Sequence, residues 1–302
     1  MPLTRFAPAP TGYLHLGHVA NALYVRGVAA ARDARVLLRV EDHDRQRCRA
    51  SYETALLDDL DWLGLVPDIA PTPSYRGGPN PWRQSDNGQA YRAAVAQLRA
   101  AGHHVYACDC SRTTAAAAAP ATGANQERPY SGRCRTRSLP DARGSGLRVE
   151  LAGGNESFVD LRLGPQSQSP AEQYGDLLLR DRLGNWTYQF CVVVDDLRQG
   201  VDLIVRGEDL LDSTGRQLRL ARMLGREVMP TLLHHPLILK PNGDKLSKSA
   251  RDTGVRDLRA GGMTREAVFG LVLQRLGLTA DAGAVSLEEA LEVVGRSPGL
   301  QE

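Results

Sequence analysis

No stretch of this 302-residue chain approaches the roughly 18 consecutive apolar residues of a membrane span, so no membrane segment is expected. The N-terminus lacks a basic segment followed by an apolar run and a cleavage site, and nothing suggests secretion. An excess of charge of one sign is missing too. With 37 basic against 35 acidic residues, the net charge of +2 announces no nucleic-acid partner, and local distribution has to decide. No internal repeat is present. Cysteine is scarce: Cys48, Cys108, Cys110, Cys134 and Cys191. An odd number with three clustered argues against a disulfide framework and for a reduced compartment. The expectation is a cytoplasmic protein of one large or two medium domains, with nothing that demands an assembly beyond a monomer.

What is present begins at Arg5-Phe6-Ala7-Pro8-Ala9-Pro10-Thr11-Gly12-Tyr13-Leu14-His15-Leu16-Gly17-His18. Leu3 to Phe6 reads as a strand stopped by Pro8 and Pro10, and an apolar pattern of helical period starts at Leu16. His15, Gly17 and His18 therefore sit where a strand gives way to a helix N-terminus. Unpaired backbone N–H groups and a positive dipole end suit a phosphate there, and Gly17 would let a purine or ribose approach. Val36 to Glu41 reads as a buried parallel strand ending in a charged run, at the sheet edge where α/β proteins bind ligands. Glu41 could take a substrate ammonium group; a solvated loop is the alternative. Helices are expected over 52–65 and 89–101. Strand-helix alternation indicates an α/β, Rossmann-type domain with a parallel sheet.

From Val105 the character changes. Cys108-Asp109-Cys110 follows a short strand, an Ala-rich stretch comes next, and then Tyr130-Ser131-Gly132-Arg133-Cys134. Three thiols and a phenol could make a four-coordinate zinc knob, but the spacing leaves zinc and unliganded thiols both open. Six arginines against two acids between 126 and 148 form a local basic patch, either for a phosphate backbone or for solubility. Arg148 to Leu151 and Ser157 to Leu161 read as paired strands closing this insertion.

The sheet is then expected to resume through Asp176 to Asp181, a buried run at Val192 to Val194, and a core strand from Val201 to Val205. Arg206 emerges from that last strand, which is costly unless it binds a carboxylate or pairs with Asp195 or Glu208. Tyr188 either adds a hydroxyl to the same crevice or is core. After a helix at 214–224, Leu232 to Leu239 is the next strand. It runs into Lys240-Pro241-Asn242-Gly243-Asp244-Lys245-Leu246-Ser247-Lys248-Ser249, where a lysine pair suits a triphosphate. Two or three short helices complete the chain.

These motifs, taken in order, resemble the class I aminoacyl-tRNA synthetases, and the flanking text resembles their glutamyl branch from about residue 3 to 250. A sequence stopping some fifty residues after the lysine loop, together with the cysteine cluster, is similar to the glutamyl-Q tRNA(Asp) synthetase family. That resemblance implies ATP-dependent activation of L-glutamate without tRNA, then transfer to the queuosine at the wobble position of tRNA(Asp). A compact enzyme charging the 3′ end of tRNA(Glu) and a non-catalytic tRNA-binding paralogue are the alternatives. It also implies that Arg5, Ala7, Ala9, Glu41, Tyr188 and Arg206 bind glutamate, and that His15, Gly17, His18 and Lys248 bind ATP, with Lys245 assisting catalysis. Cys108, Cys110, Tyr130 and Cys134 would hold one Zn2+ per chain, and Mg2+ would accompany ATP. Ala9 departs from the serine often found in relatives; if that hydroxyl contacts the amino acid, one hydrogen bond worth about 1 kcal/mol is missing here. The implied organisation is a catalytic domain in two halves (1–104 and 166–250), an inserted zinc-binding subdomain (105–165) and a helical C-terminal region (251–302).

Overall fold

The computed structural model describes residues 1–111, 129–239 and 254–297. The strand β1 (Leu3–Phe6) pairs in parallel with β2 (Arg35–Leu38), and the helix α1 (Leu16–Ala31) connects them. Helices α2 (Ala50–Leu63) and α3 (Gly88–Ala100) follow, close to the spans their apolar spacing predicts. A second sheet carries β8 (Leu203–Gly207) and β9 (Thr231–His235) in parallel, with β5 (Glu156–Asp160) parallel to β9 and β6 (Gly164–Gln168) as a hairpin partner of β5. β1 lies beside β8: the Leu3 N–H donates to the Asp202 carboxylate at 2.7 Å, and the Asp202 N–H donates to Leu3 O at 3.1 Å. The parallel α/β architecture expected from the sequence is thus present.

The strands at 148–151 and 157–161 do not pair with each other. β4 (Gly146–Val149) is the middle strand of an antiparallel sheet with β3 (Val105–Cys108) and β7 (Leu177–Arg180), whereas β5 belongs to the parallel sheet. Sequence proximity favoured a local hairpin, but both edges of β4 find partners elsewhere. β7 likewise joins this sheet instead of resuming the parallel one.

Val192 to Val194 are not strand but the middle of helix α5 (Tyr188–Arg198). Every residue from Phe190 to Asp196 is buried, so no amphipathic stripe marks the segment, and a buried helix of this length has the same apolar text as a strand. Helix α4 (Pro170–Tyr174) precedes β7, and α6 (Thr214–Met223) packs on α5. Cys191 lies in the core formed there by Tyr91, Leu147, Leu179, Phe190 and Leu220.

Three helices follow: α7 (Val255–Ala260) lies against α2, while α8 (Arg265–Arg275) and α9 (Leu287–Gly295) cover α1. Phe269, Val272 and Val294 share one core with Leu23 and Val28 of α1 and Leu37 of β2. Gly27 allows this approach: a Cβ there would stand 3.0 Å from Leu291 O. Among the described residues no helix is long and apolar enough to cross a membrane.

Candidate active site

The C-terminal ends of β1, β2 and β8 and the start of α1 surround a cavity of about 350 Å³. Nine residues singled out from the sequence line it: Arg5, Ala7, Ala9, His15, Gly17, His18, Glu41, Tyr188 and Arg206. Lys245 and Lys248 lie outside the described residues. The residues flanking them do not: Ile238 lines the cavity, and Gly254 forms a bridge with His15 while the Val255 N–H donates to Leu14 O at 2.8 Å.

The floor of the cavity is a buried charge network. Arg5 donates from Nε to Asp196 Oδ1 at 3.1 Å, and Arg39 reaches the same oxygen from Nη1 at 2.7 Å. Arg39 also grips Glu41 Oε1 through Nη2 at 3.0 Å. Glu41 is placed by the backbone, its N–H donating to Pro8 O at 3.1 Å, an irregular continuation of the β1–β2 pairing past the prolines. Burial would raise the Asp196 carboxyl, but Arg5 and Arg39 outweigh it and hold it below the ordinary value. Burial likewise opposes the Arg39 charge, and Asp196 and Glu41 more than restore it.

Arg206 does not pair with Asp195 or Glu208. Its Nε faces His234 Nε2 at 3.0 Å, Nη1 donates to Gln217 Oε1 at 2.5 Å, and Nη2 donates to Thr214 Oγ1 at 2.8 Å. All are neutral groups, and burial therefore lowers its pKa. Asp195 is occupied by Arg198, Gln84 and Tyr91. Tyr188 is half-buried at the cavity wall, and burial followed by Glu41 raises its phenol.

Arg5, Arg39 and Arg206 carry three positive charges and Glu41 and Asp196 two negative ones, all at 5 % exposure or less. These five sum to one positive charge, and the half-buried Asp209 carboxylate also lines the cavity. Sequence reasoning missed Arg39 and Asp196; an arginine inside the apolar run Val36-Leu37-Leu38-Arg39-Val40 was the available signal.

At the other end, the orphan N–H groups expected at the start of α1 are taken up by the histidines themselves. His15 is the N-cap; its Nδ1 accepts from the Gly17 N–H at 3.1 Å, and His18 Nδ1 accepts from the His15 N–H at 3.1 Å. In a neutral ring both protons then sit on Nε2. A Cβ at Gly17 would lie 3.0 Å from His15 Cε1, so any larger residue there would push the ring aside by a few tenths of an ångström.

Away from the cavity, the Cys108, Cys110 and Cys134 sulfurs all lie within 4.8 Å of one another. The Tyr130 hydroxyl stands 3.5 Å from Cys108 Sγ and 4.0 Å from Cys110 Sγ. Burial and the neighbouring thiols push the Cys110 thiol up to about 11, a cost that a divalent cation among the sulfurs would remove. The donor set fits a tetrahedral thiolate metal site. Gly175 holds Tyr130 against the start of β7: a Cβ there, at φ +66°, would stand 2.0 Å from Tyr130 O. Within the basic segment, Arg135 pairs with Asp176, Arg137 pairs with Asp109, and Arg148 lies 3.7 Å over the Tyr130 ring. The described arginines of the patch are therefore partly spent on the knob's own packing.

A parallel α/β sheet with a histidine-capped turn after its first strand defines a class that the comparisons identify. Residues 3–295 match the catalytic domain of the class I tRNA synthetases (E and Q), and the chain belongs to that family. Within it, the chain is similar to the glutamyl-Q tRNA(Asp) synthetase of Symbiobacterium thermophilum, 40% identical over 300 residues that make up 96% of this chain and 91% of the relative. It is 35% identical to glutamate–tRNA ligase 1 of Acidithiobacillus ferrooxidans over 96% of this chain but 60% of that protein. A solved glutamate tRNA ligase from Elizabethkingia meningosepticum, in complex with its amino acid, superposes with a TM-score of 0.74 at 27% identity. The chain spans 64% of the length of that structure.

Proposed function

We propose that the chain activates L-glutamate with ATP and transfers it to the queuosine of tRNA(Asp). The observation that carries the glutamate reading is one cavity lined by two buried guanidinium groups, Arg5 and Arg206, and the buried Glu41 carboxylate. Glutamate brings two carboxylates and one ammonium, the complement of that set. Arg206 and Arg5 are suited to the carboxylates, Tyr188 to a neutral hydrogen bond and Glu41 to the ammonium. Ala7 and Ala9 line the wall beside Arg5. Glutamine, with a single carboxylate, would leave one of the two guanidinium groups without an anionic partner.

His15, Gly17, His18 and Lys248 are assigned to ATP, with Lys245 assisting. Nε2–H donors at the start of α1 suit phosphate oxygens, and both flanks of the lysine segment lie at the cavity. A glutamate carboxylate is ionised at neutral pH and attacks the α-phosphorus without a general base. A carboxylate oxygen–phosphorus bond forms as the bond to pyrophosphate breaks. The protein aligns the two and neutralises developing charge. Mg2+ would enter with ATP, screening its phosphates. Cys108, Cys110, Tyr130 and Cys134 would hold Zn2+, which would supply folding energy to the insertion.

The queuosine step follows the 40% identity to proteins carrying that name. It is tested by two measurements. Glutamate-dependent ATP–pyrophosphate exchange in the absence of tRNA is expected; its absence would refute activation. Labelled glutamate is expected in the anticodon loop of queuosine-bearing tRNA(Asp). Label at the 3′ end of tRNA(Glu) would make the chain an acceptor-charging enzyme instead.

A further inference from the structure

Arg206 and His234 are register partners on the adjacent strands β8 and β9, and Asp160 ends β5 on the far side of β9. A single line of hydrogen bonds crosses these three strands. Asp160 Oδ2 accepts from the His234 backbone N–H at 3.0 Å and lies 2.7 Å from His234 Nδ1. Its other oxygen accepts from the Arg162 and Leu163 N–H groups at 3.0 Å each. An ionised carboxylate only accepts, so the ring proton sits on Nδ1 and Nε2 presents a lone pair. That lone pair faces Arg206 Nε at 3.0 Å and Thr214 Oγ1 at 3.1 Å.

Of the five N–H groups of Arg206, three go to His234, Gln217 and Thr214, and a longer contact from Nη2 reaches Leu210 O at 3.5 Å. Together these fix the plane of a guanidinium that lines the cavity. Asp160 and His234 are at most 1 % exposed and themselves line no part of the cavity. A histidine that merely filled the core would need neither a carboxylate on one nitrogen nor a guanidinium on the other. Water access is no explanation either, since leucine would exclude water as well at lower desolvation cost.

We propose that His234, locked in one tautomer by Asp160, is a positioning residue. It sets the rotation of Arg206 so that the cavity-facing edge of the guanidinium meets a carboxylate oxygen of the amino-acid substrate. The inference rests on the glutamate reading above. Its readout is a split between the two substrates in tRNA-free ATP–pyrophosphate exchange. His234→Phe keeps an aromatic ring but removes the lone pair, and raises the KM for glutamate by about tenfold while the KM for ATP stays put. His234→Gln returns an acceptor near the Nε2 position and recovers most of that loss. Asp160→Asn keeps the outline of the side chain and gives a smaller rise, which carries the test should the phenylalanine variant fail to fold. Equal rises in both constants, or an unchanged glutamate KM in a folded variant, overturn the inference. An unaltered protein without glutamate-dependent exchange overturns the glutamate reading instead.

Discussion

On the floor of the cavity, Arg5, Arg39, Glu41 and Asp196 hold one another across β1, the end of β2 and α5. At the opposite end, His15 and His18 hold the first turn of their own helix, half-exposed, with hydrogen bonds spanning two or three residues. The basic residues differ in kind as well. The described floor uses guanidinium groups alone, while the chain's three lysines all fall between residues 240 and 248. A planar fork in a fixed network suits a small ionised amino acid whose charges stay put. Compact, rotatable ammonium groups suit a polyphosphate whose charge moves as a bond breaks.

The sharpest break of this comparison is Lys248→Ala. It should lower the exchange rate by two or more orders of magnitude, the scale of losing a charge-stabilising donor, with little change in glutamate KM. Exchange at the normal rate would remove the lysine from the reaction. Arg206→Leu comes next. Glutamate KM should rise about 30-fold, in line with loss of a charged hydrogen bond worth about 2 kcal/mol, and ATP KM should hold. A larger effect on ATP would exchange the roles of the two ends. Gly17→Ala should act in the opposite sense, raising ATP KM about threefold through displacement of the His15 ring while sparing glutamate.

The smallest effect contrasts two buried carboxylates. Asp196, clasped by two arginines, is held below its ordinary pKa, whereas burial of Asp59 on α2, only partly offset by Arg256 and Arg259, raises it to about 6. Among the described residues Asp59 Oδ2 has no hydrogen-bond partner. A carboxyl whose folded pKa exceeds its unfolded value binds its proton more tightly when folded. The folded state then loses stability as pH rises from about 4 to about 6, and recovers it on acidification. Asp59→Asn should therefore raise stability at pH 7 by about 1–2 kcal/mol, and the gain should vanish near pH 4 in denaturant titrations. A gain independent of pH would mean that the charge is not its source.

Much of the site was legible because its chemistry stands at junctions. His15, Glu41 and Arg206 each follow an apolar strand, where a polar side chain is conspicuous. The supports behind them were not. Arg39 and His234 sit inside strand text, and Asp160 and Asp196 find their partners 74 and 157 residues away in sequence. Pairing over such distances leaves no local period to read. The same reason hid the partners of β4, and complete burial disguised α5 as a strand. The cysteine cluster lay between these cases: its residues were evident, but its convergence depended on the close backbone approach at Gly175.

The guanidinium groups lining the cavity also bear on how the protein withstands heat. An anion bound between them adds its contacts to the folded state alone, so glutamate should act as a thermoprotectant in proportion to its occupancy. Cells depleted of this amino acid would then hold the protein in its most fragile form.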